Sequence, residues 1–340
     1  MKWGSFSGRA VTWTIGGCMT LVAVMVALAL ANSWWSARTV PNFGVVRLHV
    51  TPQPVVAAFF EARRRGYFTE AGLDVRLISH PTGREAVAAM ISNGDDFAVC
   101  ADTPFVKSFA QGQSVSVLAS FGQAANSIHF IGRRERGVTT ELKSLIGHRL
   151  GIAKGTNAEY VFYSACLLED LSAEGITLVD LNPDDLVPAL LDGRVDASAL
   201  WDTLLDKAHS GLGTAAVEIS IDDIYRAMWL LVVNGTQRDQ RRERAILTAL
   251  IRATEDLSRK PRSTMSDIIG DIGIAPHELE GVIQSTSFHV TLDQSLLLNL
   301  ESQRRWLGIG GREIFEGLSP LPLSQVDHNA VNLVHPEVAP

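Results

Sequence analysis

Apolar residues along the chain gather in short runs, and stretches with helical spacing follow most of them. Val45–Val50, Leu73–Ile78, Asp96–Cys100 and Ser114–Phe121 read as strands. After the turn Thr51-Pro52-Gln53-Pro54, Val55 to Arg65 reads as a helix. Gly72 closes a turn ahead of the second strand, and Thr82-Gly83-Arg84-Glu85 opens a helix with apolar positions at Ala86, Ala89 and Met90. Strand, helix, strand, helix, strand is the order of a parallel sheet. His129–Arg133 follows a polar link, Gln123 to Ser127, which reads as a crossover.

The pattern then repeats. Leu150–Ala153 is a strand, and a helix runs from Ala158 to about Asp170. Ile176–Asp180 is the next strand, Asn182-Pro183 caps a helix over Leu186–Leu191, and Val195–Leu200 is a third strand. The third strands of the two halves match: Asp96-Phe97-Ala98 corresponds to Asp196-Ala197-Ser198, and Asp102-Thr103 to Asp202-Thr203. Two copies make two similar α/β lobes, not a solenoid. Ala227–Asn234 reads as a strand returning to the first lobe. Helices follow over Arg241–Lys260, Pro276–Gln284 and Leu292–Leu307. The expected division is a leader at 1–31, a linker at 32–44, a first lobe from 45–125 and 235–317, a second lobe at 126–234, and an extended tail at 318–340.

Lys2 and Arg9 precede a stretch without charge from Val11 to Ala31. That is an export signal or a membrane anchor. Ala29-Leu30-Ala31 suits cleavage before Asn32, whereas Trp34-Trp35 suits a retained segment at a membrane interface. Ile15-Gly16-Gly17-Cys18 has the look of a lipobox, but the most apolar part follows the cysteine instead of preceding it. Either way the lobes are expected in the periplasm or on the extracytoplasmic face of the inner membrane.

With 340 residues there is room for two cores. A formal charge of −7 argues against a general nucleic-acid binder, while a local site could still take a small anion. The cysteines are Cys18, Cys100 and Cys166, with no CxxC and no Cys/His ligand spacing, so no metal is expected. The chain holds no GxSxG, HExxH or P-loop, and neither a catalytic residue nor a cofactor is assigned. Gly308-Ile309-Gly310-Gly311 follows a helix instead of a strand, which rules it out as a dinucleotide turn.

Ligands of open α/β sheets lie beyond the carboxyl ends of the strands. In two facing lobes those ends meet at a cleft. Thr51, Pro52 and Gln53 follow the first strand, and Asp102, Thr103 and Pro104 the third. From the second lobe come Gly155, Thr156 and Asn157, then Trp201, Asp202 and Thr203. Gly155 permits a tight turn, and Thr156 or Asn157 can cap the helix that follows. A helix start suits an anion. The expected ligand contacts are Gln53, Asp102, Thr103, Gly155, Thr156, Asn157, Tyr160, Trp201 and Asp202. For four of these a structural role stands open: Asp102 and Asp202 as helix caps, Tyr160 packed on its lobe, Trp201 in the core.

Gly66-Tyr67-Phe68 with Gly72-Leu73-Asp74-Val75, the helix start at Gly83, Glu85 and Ala86, Leu145–Ile152, and Gly193–Ala197 with Trp201 together resemble the substrate-binding proteins of taurine, alkanesulfonate and nitrate ABC importers. The resemblance covers about residues 45–310. It implies a two-lobed periplasmic-binding-protein fold, each lobe a mainly parallel sheet flanked by helices. The lobes close on a small ligand and deliver it to a permease with its ATPase, and the protein is expected to act as a monomer. The ligand would be sulfonate-like or oxyanion-like, with Asp202 as partner for an amine such as taurine's. Thr203 stands where that family often has proline. Pyrimidine-precursor binders and some pyrimidine-synthesis enzymes share the outline; an enzyme would need a catalytic group in the cleft, for which Lys154 is the nearby candidate. A membrane-anchored sensor is the third reading.

Overall fold

Strands whose two faces are both covered carry unbroken apolar runs. Two segments of this kind sit at the centre of the structure, Phe97–Ala101 and Ala197–Trp201, every residue of each buried. The computed structural model describes residue 25 and residues 41–309, apart from 126, 222, 223, 274 and 293. The chain forms two compact units, 1–42 and 43–340, and both of its sheets belong to the second. The expected leader, residues 32–40 of the linker and the tail lie outside the described residues. Among the described residues no helix is long and apolar enough to cross a membrane.

In chain order the elements are β1 (Val45–Val50), α1 (Ala57–Arg64), α2 (Tyr67–Glu70), β2 (Asp74–Ser79), α3 (Gly83–Asn93), β3 (Phe97–Ala101), α4 (Asp102–Ala110) and β4 (Val115–Ala125). Then come β5 (Ile128–Arg133), β6 (Arg149–Ile152), α5 (Asn157–Leu168), β7 (Thr177–Asp180), α6 (Pro183–Asp192), β8 (Ala197–Trp201), α7 (Asp202–Leu212) and β9 (Ala216–Ile219). The chain closes with β10 (Arg226–Asn234), α8 (Gln240–Arg259), α9 (Pro261–Ile272), α10 (Leu279–Ser285), β11 (Thr286–Thr291) and α11 (Gln294–Ile309).

One sheet runs β11-β4-β10-β3-β1-β2 and the other β7-β6-β8-β5-β9. Strands β1, β2 and β3 pair in parallel, as do β6, β7 and β8. The strands at and beyond the crossovers pair antiparallel: β10 with β3 and β4, β5 with β8 and β9. Each sheet is therefore parallel on the side that carries the βαβ units and antiparallel beside the crossovers. A boundary at residue 234 would assign β10 to the second lobe; its pairing places it between β3 and β4 in the first sheet, so the return crossover precedes Arg226.

Each lobe has its own apolar core, and Tyr225 packs against both. Helix α8 shows how pattern becomes packing: Ile246, Leu250, Ala253 and Leu257 recur along one face and all are buried. Cys100 and Cys166 are buried free thiols, one on β3 and one on α5.

The repeated Asp96 and Asp196 turn out to be anchors. Asp96 accepts from the Arg242 guanidinium at 3.0 and 3.1 Å. Asp196 accepts the Arg149 backbone N–H at 2.9 Å and its guanidinium at 3.4 Å. Burial pushes the Asp196 carboxyl up, but those donors, Arg149's charge and His148 outweigh it and hold it below the ordinary 3.8. A carboxyl depressed by folding stabilises fully above its unfolded value and loses that contribution as pH falls through the folded one. The stability gap between the wild type and Asp196→Asn is thus expected to be full at neutral pH and to shrink below 3.8. Urea unfolding across pH checks this; a gap that does not change with pH would refute it.

Candidate functional site

The carboxyl ends of β1, β2, β3, β6 and β8 converge on a cleft of about 330 Å³, open to solvent. The first lobe lines it with Thr51, Gln53, Pro81, Thr82, Gly83, Ala101, Pro104 and Trp229. From the second come Thr156, Asn157 and Trp201. Of the expected contacts, Gln53, Thr156, Asn157 and Trp201 are here.

Of the lining residues outside the expected contacts, two carry a buried polar atom with no partner. Thr51 is 2% exposed, and its hydroxyl has no hydrogen-bond partner. Trp229 is 6% exposed, with its indole N–H likewise unpartnered. An unsatisfied buried donor costs about 1–3 kcal/mol, so both are primed for an acceptor from outside the chain. Trp229 reaches the cleft because β10 runs antiparallel to β3 and sets it opposite Ala101, at the carboxyl end of β3. A tryptophan interrupting an aliphatic run was the one signal the sequence held for it.

Helix α3 points its first turn at the same space. Thr82 is its N-cap, and the threonine hydroxyl accepts the Glu85 N–H at 3.2 Å. Gly83 lets the turn lie close to β3: a Cβ there would be 2.8 Å from the Cys100 Cβ. The exposed N–H groups of this turn carry the positive end of the helix dipole.

On the other wall the polar side chains engage one another. Trp201 donates its indole N–H to Asn157 Oδ1 at 3.2 Å, and the Thr156 hydroxyl donates to the Ala153 carbonyl at 2.7 Å. Trp201 thus presents its ring, its N–H being already spent. Among the described lining residues none has a charged side chain. The arrangement suits a compact ligand with acceptor atoms and some apolar body.

The remaining expected contacts sit elsewhere. Asp102 is fully buried and does not line the cleft. Its carboxylate accepts from the Thr103 N–H at 2.8 Å, the Met228 N–H at 3.2 Å, Asn299 Nδ2 at 2.5 Å and the Tyr225 hydroxyl. Burial pushes this carboxyl up, while hydrogen bonds from Tyr225, Gln303, Met228 and Asn299 oppose the rise. Asp102 is a structural knot, since segments far apart in sequence converge on it. Thr103, fully buried beside it, is also outside the lining. Gly155 turns the chain at φ +80°, but its N–H goes to Glu159 Oε2 at 2.8 Å. Tyr160 packs edge-on against Tyr225 and Trp306, with ring centroids 5.5 and 5.2 Å apart. Asp202 begins α7, and its side chain lies outside the described set, as does that of Thr203.

A family profile described as "NMT1/THI5 like" matches residues 53–264, well over half of the chain. The chain belongs to the NMT1/THI5-like family. The matched span of this NMT1/THI5-like chain runs from Gln53 in the cleft wall to α9. Among curated proteins it is similar to a putative aliphatic sulfonates-binding protein of Bacillus subtilis (strain 168), 25% identical over 195 residues. That alignment covers 56% of this chain, which spans 57% of the relative's length. Among solved structures it is similar to the alkanesulfonate-binding protein SsuA from Xanthomonas axonopodis pv. citri bound to MOPS, at TM-score 0.66 and 16% identity, over 78% of this chain and 93% of that one. The periplasmic aliphatic sulphonate binding protein SsuA from Escherichia coli superposes at TM-score 0.63 and 14% identity, over 78% and 92%. At such identities the structures speak for the fold: that of periplasmic binding proteins.

Proposed function

We propose that this chain is the extracytoplasmic solute-binding protein of an ABC importer. It captures a small sulfonate-like or oxyanion-like ligand between its lobes and hands it to the permease and its ATPase. The observation that carries the reading is the pair of buried, unpartnered donors in the cleft, Thr51 and Trp229, beside the start of α3. Acceptor oxygens of a sulfonate would satisfy both. The names of the relatives support the ligand class. Binding without chemistry is favoured over the enzyme reading by the names of the matched proteins, which are those of binding proteins. The protein works in the periplasm or at the outer face of the inner membrane, held there if the apolar Val11–Ala31 segment is retained.

A thermal-shift panel of alkanesulfonates, taurine, nitrate, bicarbonate and pyrimidines tests the reading. A ligand at about 1,000 times its Kd should add about 4 kcal/mol of stability. A shift with pyrimidines alone would reject the sulfonate reading. Thr51→Val is expected to lower affinity for the binding ligand about tenfold, the value of one hydrogen bond to a charged acceptor. Stability should hold or rise, because an unpaired hydroxyl is removed. Unchanged affinity would take Thr51 out of the site.

A further inference from the structure

We propose that Lys107 and Glu159 are positioning residues: their ion pair ties the second lobe's cleft turn to the first lobe, so the chain's own charges set the balance of closed and open molecules before any ligand arrives. This rests on capture between two lobes, as proposed above, and adds what holds the lobes to each other.

The grip is built at one place. Lys107 lies on α4, one helical turn beyond Pro104 of the cleft wall, and Arg84 on α3 next to Gly83 of the same wall. Across the cleft, the turn from Lys154 to Glu159 carries Thr156 and Asn157 to the opposite wall. Lys107 Nζ lies 3.2 Å from Glu159 Oε2. The same oxygen accepts the Gly155 N–H at 2.8 Å, so the carboxylate ties the turn itself to the cation of the other lobe. Arg84 Nη1 donates to the Lys154 carbonyl at 2.5 Å. A Cβ at Gly155 would stand 3.1 Å from Arg84 Cδ, which shows how closely the arginine covers the turn.

Burial decides which contacts between the lobes count. The Lys107 and Glu159 side chains are 19% and 11% exposed, so water and salt screen the pair only partly. His277 and Asp206 also pair between the lobes at 2.6 Å, but they are 71% and 56% exposed, and such a pair contributes little. Tyr160 packs against Trp306 and against Tyr225 at the return crossover, and these contacts involve no charge.

The test measures lobe separation without ligand, so its result stands apart from that of the panel above. The full chain is studied in detergent, with Cys18→Ser and spin labels on Ser79→Cys and Asp184→Cys. Both positions are exposed, near the carboxyl ends of β2 and β7, the edge strands furthest from the crossovers. Pulsed electron resonance then reads the distance distribution, and circular dichroism confirms folding. In Glu159→Gln the amide oxygen can still accept the Gly155 N–H, so the turn is kept and only the charge is lost. Lys107→Met and Glu159→Gln should each move the population to longer distances, the closed-to-open ratio falling roughly tenfold. Lys107→Arg should match the wild type, and added salt should shift the wild type towards the neutral variants. Distances unchanged in both neutral variants would overturn the proposal. So would a Lys107→Arg variant that opens as far as Lys107→Met, since that would make the lysine stem, and not its charge, the holding element.

Discussion

Asp102→Ala is expected to cost about 3–5 kcal/mol of folding stability, since several buried donors lose their acceptor together at about 1–3 kcal/mol each. The loss would reach four segments at once. Thr103 belongs to α4, Met228 to β10 and Asn299 to α11, and the Tyr225 hydroxyl joins them from the return crossover. With alanine these donors face a void in a region water does not reach. Asp102→Asn should cost less, because one acceptor oxygen remains. The comparison has a pH signature. Burial raises the Asp102 carboxyl, so the folded state holds the proton more readily than the unfolded one. That contribution is complete below the unfolded value and is lost as pH rises through the raised folded value. The wild type should therefore gain on Asp102→Asn as pH falls towards 3.8. Urea midpoints of the three proteins over a pH series measure both effects. An alanine variant as stable as the wild type would show that the knot holds nothing.

Gly83→Ala is expected to reduce ligand affinity about 100-fold, the value of two backbone hydrogen bonds to a charged acceptor. Overpacking should cost a further 1–3 kcal/mol or so of stability. The added Cβ meets the Cys100 Cβ at 2.8 Å and its Cα at 3.1 Å, and the second of these is backbone that cannot swing aside. Helix α3 must then lift from β3, and its first turn leaves the cleft wall. Adding Cys100→Gly removes the nearer contact and should return much of the affinity. Isothermal titration of the single and double variants decides the matter. If the double variant binds no better than Gly83→Ala, the lost affinity does not arise from this contact.

Much of the fold was legible because it rests on local periodicity. Strands such as Val45–Val50 and the buried face of α8 follow from period-two and period-3.6 patterns that need no knowledge of partners. The turn at Gly155 and the helix start at Thr82–Glu85 were legible from the residue types alone. Other elements were missed or marked only faintly because their local signals are weak. Helices α4 and α7 were signalled only through Asp102 and Asp202 as candidate caps, because they start directly at strand ends with no linker to mark them. Strand β11, Thr286–Thr291, is an edge strand with only half of its residues buried. Strand β9 is a four-residue edge strand.

Within the site the division is sharper. Gln53, Thr156, Asn157 and Trp201 could be placed from sequence because each lies at or just beyond the carboxyl end of a strand, and those ends must face the cleft. Nothing local distinguished them from Asp102, which occupies an equivalent position. Its removal from the cleft depends on Tyr225 and Asn299, 123 and 197 residues further along the chain. Trp229 enters the site through the register of an antiparallel strand returning from the other lobe, which no periodicity encodes.

The sequence by itself thus determined the two lobes, the order of their βαβ units and the end of each sheet that faces the cleft, since these follow from short-range pattern and the handedness of parallel connections. The tertiary structure alone decided which polar groups remain free for a ligand. Satisfaction of a buried donor or acceptor depends on every segment that packs around it, and at Asp102 those segments carry Tyr225, Met228 and Asn299, all far along the chain.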